Sequence, residues 1–113
     1  MIIHDIKNTP AVTDLKGTKD TIKRVLIAGQ DGAQRFYMRH FTIKGQGFTP
    51  RHAHPWEHEI YIISGDGRVF IKDKDAPVSS GMAIFIPAMD EHQIKAGDNG
   101  MEFLCMIPAN TGG

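Results

Sequence analysis

The sequence has 113 residues, with 13 lysines and arginines against 13 aspartates and glutamates, so its formal charge at pH 7 is zero. That length suits one domain with one core, and the charge balance argues against nucleic acid or another polyanion as partner. Six histidines stand beside a single cysteine, so any metal chemistry would draw on imidazole and not on thiolate.

The opening run Met1-Ile2-Ile3-His4-Asp5 has no basic stretch leading into a long apolar one, and one cysteine closes no internal disulfide. A reduced, cytoplasmic setting is the expectation. The first strand is expected over Thr21–Ala28, rich in β-branched residues and ended by Gln30-Asp31-Gly32. A second follows over Phe36–Lys44, before Gly45-Gln46-Gly47. Alternation from Arg35 to Ile43 sorts Arg35, Tyr37, Arg39, Phe41 and Ile43 from Phe36, Met38, His40 and Thr42. Both faces carry bulky groups, so this strand is expected to be buried on both sides or packed on a partner. Alternation alone does not say which face lines a cavity.

Further strands are predicted over Glu59–Ile63, Arg68–Lys72, Met82–Ile86 and Met101–Ile107. The breakers between them are Ser64-Gly65-Asp66-Gly67, Lys74-Asp75-Ala76-Pro77, Ser79-Ser80-Gly81 and Gly97-Asp98-Asn99-Gly100. No window of helical length carries a sustained 3.6 period, so the fold class is all-β, a sandwich or barrel of about eight or more short strands. The nearly apolar runs Met82–Met89 and Phe103–Ala109 are shorter than the roughly 18–20 residues of a membrane-spanning helix, and no membrane segment is expected. The end, Asn110-Thr111-Gly112-Gly113, is expected to fray.

Four histidines fall in two places. His52, His54 and His58 lie within Arg51-His52-Ala53-His54-Pro55-Trp56-Glu57-His58-Glu59, and His92 follows Pro87-Ala88-Met89-Asp90-Glu91. Histidines at i and i+2 of a strand share a face, which makes a chelating pair, and Pro55 favours an extended His54. A third imidazole can return to the same pocket across the Pro bend, and His92 would reach it from another strand. His4 and His40 are read as ordinary surface or hydrogen-bonded histidines.

These residues resemble a known family. His52-Ala53-His54 through Gly65 is similar to the first motif of the cupins, and Gly81-Met82-Ala83-Ile84-Phe85-Ile86-Pro87 with His92 is similar to the second. In that pattern a Glu ligand follows the HxH pair and lies seven positions before a turn glycine. Counting back from Gly65 lands on His58, not on Glu57 or Glu59. The run Arg51–Glu59, the chain length and the ending Glu102–Pro108 resemble a subfamily of small prokaryotic single-domain cupins (cupin type 2, RmlC-like) that hold manganese through four histidines. Met89 stands where the pattern often has Gly, Ala96 where it often has Asn, and Gly47 is one residue closer to His52 than the pattern's glycine.

The resemblance implies a cupin double-stranded β-helix, a jelly-roll barrel. A single domain would span residues 1–113, with the conserved barrel over about 24–108. It implies His52, His54, His58 and His92 as metal ligands, with Mn(II) favoured and Fe(II) next, although imidazole also suits Zn, Ni and Cu. Four neutral ligands leave a divalent ion its full charge. A six-coordinate ion would keep two positions for exogenous molecules, whereas tetrahedral zinc would be closed and structural.

The leading expectation is a metal-dependent oxidoreductase of dioxygenase type, acting with dioxygen or peroxide on a small, largely apolar substrate, with no catalytic group beyond the ligands. The alternatives are a non-catalytic, metal-dependent small-molecule-binding cupin and a structural zinc protein. Alternation places Ile60, Ile94, Phe103 and Cys105 on the pocket wall, while Glu57 and Glu59 are candidates for orienting the histidines. Trp56 is a candidate cap of the pocket mouth or a dimer contact. A homodimer paired through the Thr21–Ala28 strand is also expected.

Overall fold

The β-branched and aromatic stretches pair into six antiparallel strands in the computed structural model, which describes residues 1–111. Residues 112 and 113 of the expected frayed end lie outside the described residues. The strands are β1 (Lys19–Ile27), β2 (Phe36–Phe48), β3 (His58–Ile71), β4 (Lys74–Ser79), β5 (Ala83–Ile86) and β6 (His92–Pro108). Their order is β1-β2-β6-β3-β4, with β5 on β3. Helical structure among the described residues is two short 3-10 turns, Ile6–Asn8 and Gly29–Asp31.

The strands are fewer and longer than predicted, because several glycine clusters bend a strand without ending it. Ser64–Gly67 lies within β3, Gly97–Gly100 within β6 and Gly45–Gly47 within β2. The β3–β6 register shifts between Ile62 and Ser64 and again between Gly65 and Gly67. At Gly65, which has φ +82°, a Cβ would run into the Gly100 carbonyl, and at Gly67 into that of Lys95. The glycines therefore mark close strand approach and a change of direction, as at a bulge.

A second difference concerns Lys74-Asp75-Ala76-Pro77, predicted as a breaker and found in β4. The reversal is one step earlier, at Lys72 and Asp73, both left-handed with φ of 47° and 67°. Positive φ at both central residues of a two-residue loop matches the strand twist of a tight hairpin. Pro77 is tolerated because β4 is an edge strand.

Alternation is regular where the barrel is one layer thick. In β3, His58, Ile60 and Ile62 are buried while Glu59, Tyr61 and Ile63 are exposed. In β6, Met101, Phe103, Cys105 and Ile107 point into the core. Register then stacks rungs across three strands: Arg39, Cys105 and Ile60 in one, Phe41, Phe103 and Ile62 in the next. This settles the face of β2. Arg39, Phe41 and Ile43 turn inward, with Phe41 stacked on Phe103 at 5.1 Å.

Candidate metal centre

The segment between β2 and β3 carries the first histidines, and Thr49 fixes it. Thr49 N–H donates to the Ile94 carbonyl at 2.9 Å, Ile94 N–H donates to Thr49 Oγ1 at 2.9 Å, and the Gln93 amide donates to the Thr49 carbonyl at 3.0 Å. Three residues on, His52 and His92 form an isolated antiparallel bridge. The His52–His54 pair thus lies on an extended segment held by one bridge, not within a regular strand. His58 opens β3 and His92 opens β6. The loop before His92 is tied back by Met89 N–H, which donates to the His54 carbonyl at 2.8 Å. Met89 is left-handed, with φ 72°, a conformation glycine adopts at no steric cost.

These anchors bring four imidazoles together. His52, His54 and His92 each present a ring nitrogen, and the three nitrogens lie within 4.8 Å of one another. The His58 ring is 4.6 Å from that of His54 and 5.0 Å from that of His92, centroid to centroid. Its Nε2 is 2.8 Å from His54 Nε2.

Backbone carbonyls orient two of the rings. His54 Nδ1–H donates to the Trp56 carbonyl at 3.0 Å and His92 Nδ1–H to that of Asp90 at 2.9 Å. Both rings then turn an unprotonated Nε2 toward the cluster, the tautomer a ligating histidine needs. His58 Nδ1 faces Cys105 Sγ at 3.1 Å and Arg39 Nη2 at 3.4 Å. A set of convergent neutral imidazoles, two with their tautomer fixed from behind, fits a divalent metal ion.

Glu57 and Glu59 do not take the orienting role. Both are exposed, Glu57 in the loop before β3 and Glu59 on the outward face of β3, and Nδ1 of His54, His92 and His58 meets carbonyls, Cys105 and Arg39 instead. His40 and His4 stay outside the cluster, bonded to Glu102 at 3.0 Å and Asp31 at 2.7 Å.

The histidines form one wall of a cavity of about 240 Å³, which Ile60, Ile94, Phe103 and Cys105 also line. Trp56 stacks on His54 at 4.1 Å with the planes 9° apart. Residues 39–107 match the cupin domain family. The chain belongs to the cupins.

The cupin resembles the polyketide cyclase RemF from Streptomyces resistomycificus, with 33% identity and a TM-score of 0.90 over all of this chain and 82% of that one. It is 26% identical to an oxalate-binding protein of Thermotoga maritima, over 95% of this chain and 93% of that protein. A cupin-2 domain protein of Rhodospirillum rubrum, 22% identical, shares the fold with a TM-score of 0.83 over all of this chain and 77% of that one. The jelly-roll barrel implied by the two motifs is the fold of this cupin.

Alternation left Arg39 undecided, and the structure places it on the cavity wall beside His58. The missing fact was the inward face of β2. Pairing Arg39 with Cys105, itself predicted inward, would have supplied it.

Burial, followed by the Arg39 guanidinium and then the other imidazoles, lowers the pKa of His58 from 6.5 to about 3. Burial is also the main cause that lowers His52 and His54. These rings are therefore neutral at pH 7. The unfolded chain takes up a proton at His58 near pH 6.5 and the folded chain only near 3, so between these values the unfolded state binds more protons. The metal-free cupin is expected to lose stability steadily as the pH falls through that window. Denaturant midpoints from pH 7.5 to 4 check this, and a flat or rising midpoint would contradict it.

Proposed function

We propose that this cupin is a metal-dependent enzyme, an oxidoreductase of dioxygenase type. In this reading His52, His54, His58 and His92 hold one divalent ion, Mn(II) or failing that Fe(II), and a small molecule with a largely apolar body occupies the adjoining cavity. The observation that carries it is the convergence of four imidazoles on a cavity whose remaining wall includes Phe41, Ile60, Ile86, Ile94 and Phe103. When bound, such an ion supplies Lewis acidity and redox capacity at the positions its protein ligands leave open.

The chain's residues do the rest. The Trp56 and Asp90 carbonyls hold two rings in their ligating tautomer, and Arg39 and Cys105 hold the back of His58. The apolar wall excludes water and orients the substrate body. We include in this reading a homodimer through β1, which is an edge strand of the sheet.

A substrate-independent test uses nitric oxide as a surrogate for dioxygen on protein loaded anaerobically with Fe(II). A high-spin iron–nitrosyl signal in electron paramagnetic resonance is expected. An unchanged spectrum after nitric oxide is added would contradict an accessible ion.

A second reading is redox-neutral ring closure with the ion as Lewis acid. It is favoured by the 33% identity to the polyketide cyclase along the whole of this chain, and turnover under strict anaerobiosis distinguishes it. The likeness to the oxalate-binding protein supports small-molecule binding, with or without turnover.

A further inference from the structure

Part of the cavity wall does not belong to the barrel. Leu15, Lys16 and Thr18 line the cavity and lie in the loop that leads into β1. Both ends of this loop are fixed. At one, Val12 and Lys23 exchange backbone hydrogen bonds of 2.8 and 2.9 Å. At the other, Lys19 pairs with Phe48, and Thr21 Oγ1–H reaches the Phe48 carbonyl at 2.9 Å. Between these anchors the hydrogen bonds are the loop's own. Thr18 N–H and Thr18 Oγ1–H both donate to the Leu15 carbonyl, at 3.3 and 2.7 Å, and among the described residues no hydrogen bond ties residues 13–18 to the barrel.

Leu15 is half-buried, while Thr13, Asp14, Lys16 and Gly17 are exposed, so a single apolar side chain holds the loop to the cavity. Beside it Gly17 rests on Pro50, where a Cβ would stand 3.4 Å from Pro50 Cβ. Gly17 and Asp20 are left-handed, with φ of 77° and 50°, and the β1–β2 register shifts between Lys19 and Thr21. The loop therefore leaves the sheet at a kink. A segment with fixed ends, internal hydrogen bonds and one apolar contact can lift without orphaning backbone groups, because the Thr18–Leu15 bonds travel with it. Lids of binding sites are drawn from segments of this low local stability.

We infer that residues 13–18 form a flap over the cavity, with Leu15 as the latch that sets the size of molecule admitted. Closed, Leu15 completes the apolar lining that includes Phe41 and Phe103. Open, it gives a way in that leaves the barrel strands undisturbed. The inference goes beyond the functional reading above and takes from it only that the cavity is the substrate site. Cys105 supplies a reporter inside. It is the single cysteine, is 2% exposed and lines the same cavity, so a thiol reagent reaches it in the folded protein only by entering.

The test measures labelling of Cys105 by N-methylmaleimide and by the bulkier N-phenylmaleimide, each rate divided by that with glutathione, on metal-free and on Mn(II)-loaded protein. The smaller reagent is expected to react at least about tenfold faster in both forms. Leu15→Ala should cut that ratio to about threefold or less and Leu15→Met should keep most of it, with thermal midpoints near wild type because the position lies in a loop. A disulfide between Gly17→Cys and Pro50→Cys, whose Cβ atoms would stand near the roughly 3.5–4.5 Å of such a bond, pins the flap. Closing it should slow N-methylmaleimide labelling at least about tenfold, counted on the Cys105 peptide by mass spectrometry. If the disulfide does not form, the Leu15 variants decide.

A labelling ratio near one in the wild type overturns the inference, since entry by global unfolding ignores reagent size. Labelling by neither reagent, a ratio that Leu15→Ala leaves unchanged, or a rate that the closed disulfide does not slow also overturns it, while leaving the metal reading standing. Labelling requires no bound ion, so size-selective labelling in a protein that gives no iron–nitrosyl signal supports the flap and removes the metal reading.

Discussion

Replacing His52 with alanine is expected to lower metal affinity by at least about a hundredfold while leaving the fold intact. His52 is well suited to this comparison because its two contributions separate cleanly. Its backbone N–H and carbonyl make the bridge to His92, at 3.2 and 2.9 Å, and alanine keeps both. As a residue it is exposed and its ring borders the open cavity, so removing it opens no closed void in the core, and substitutions at such positions ordinarily change stability by less than about 0.5 kcal/mol. Metal content after dialysis and a calorimetric titration with Mn(II) measure the loss, with the thermal midpoint of the metal-free protein as the control. Metal content equal to wild type would remove His52 from the ligand set.

The largest effect on stability is expected from Phe103→Ala. Phe103 is 2% exposed and stacks on Phe41 at 5.1 Å. It pairs with Phe41 of β2 on one side and Ile62 of β3 on the other, so its ring joins the three central strands. Truncating a buried phenylalanine costs about 3–5 kcal/mol through lost transfer energy and the void left behind. Because the ring also borders the existing cavity, fewer packing partners are lost than in a closed core, and the expected cost is about 3 kcal/mol. That corresponds to a fall on the order of 10 °C in Tm. Denaturant unfolding of the metal-free protein measures it. A change below about 1 kcal/mol would show that Phe103 serves the cavity alone.

Much of this molecule was legible in the sequence where one local rule dominates. Period-two alternation placed Phe103 and Cys105 on one face because β6 there is buried on a single side. The resemblance to the cupin motif, counted back from Gly65, implied His58, and the structure brings its ring beside those of His54 and His92. Legibility failed where a local signal has two physical causes. Glycine serves a reversing turn and a tight strand crossing equally well, so Gly65 and Gly67 read as a turn although they bend β3. The reversal at Lys72 and Asp73 carries no glycine and was hidden by the proline that follows.

The site was less legible behind its histidines than at them. The HxH spacing marks histidines, but the groups orienting them are the carbonyls of Trp56 and Asp90, and a carbonyl leaves no mark in the residue type. Carboxylates often fill that role, yet Glu57 is exposed in the loop before β3 and Glu59 points outward from it. Arg39 stayed undecided because both faces of β2 are bulky. Only pairing with β6, a contact distant in sequence, selects the face that carries a buried cation to the cavity.

The most direct measurement is a crystal structure of the protein loaded with Mn(II), with anomalous scattering recorded at the manganese edge. A single ion held by one ring nitrogen from each of His52, His54, His58 and His92, with two neighbouring positions occupied by water or a small ligand, is the expected result. A four-coordinate zinc closed by the same histidines, or an ion that leaves the His58 ring unligated, would contradict it.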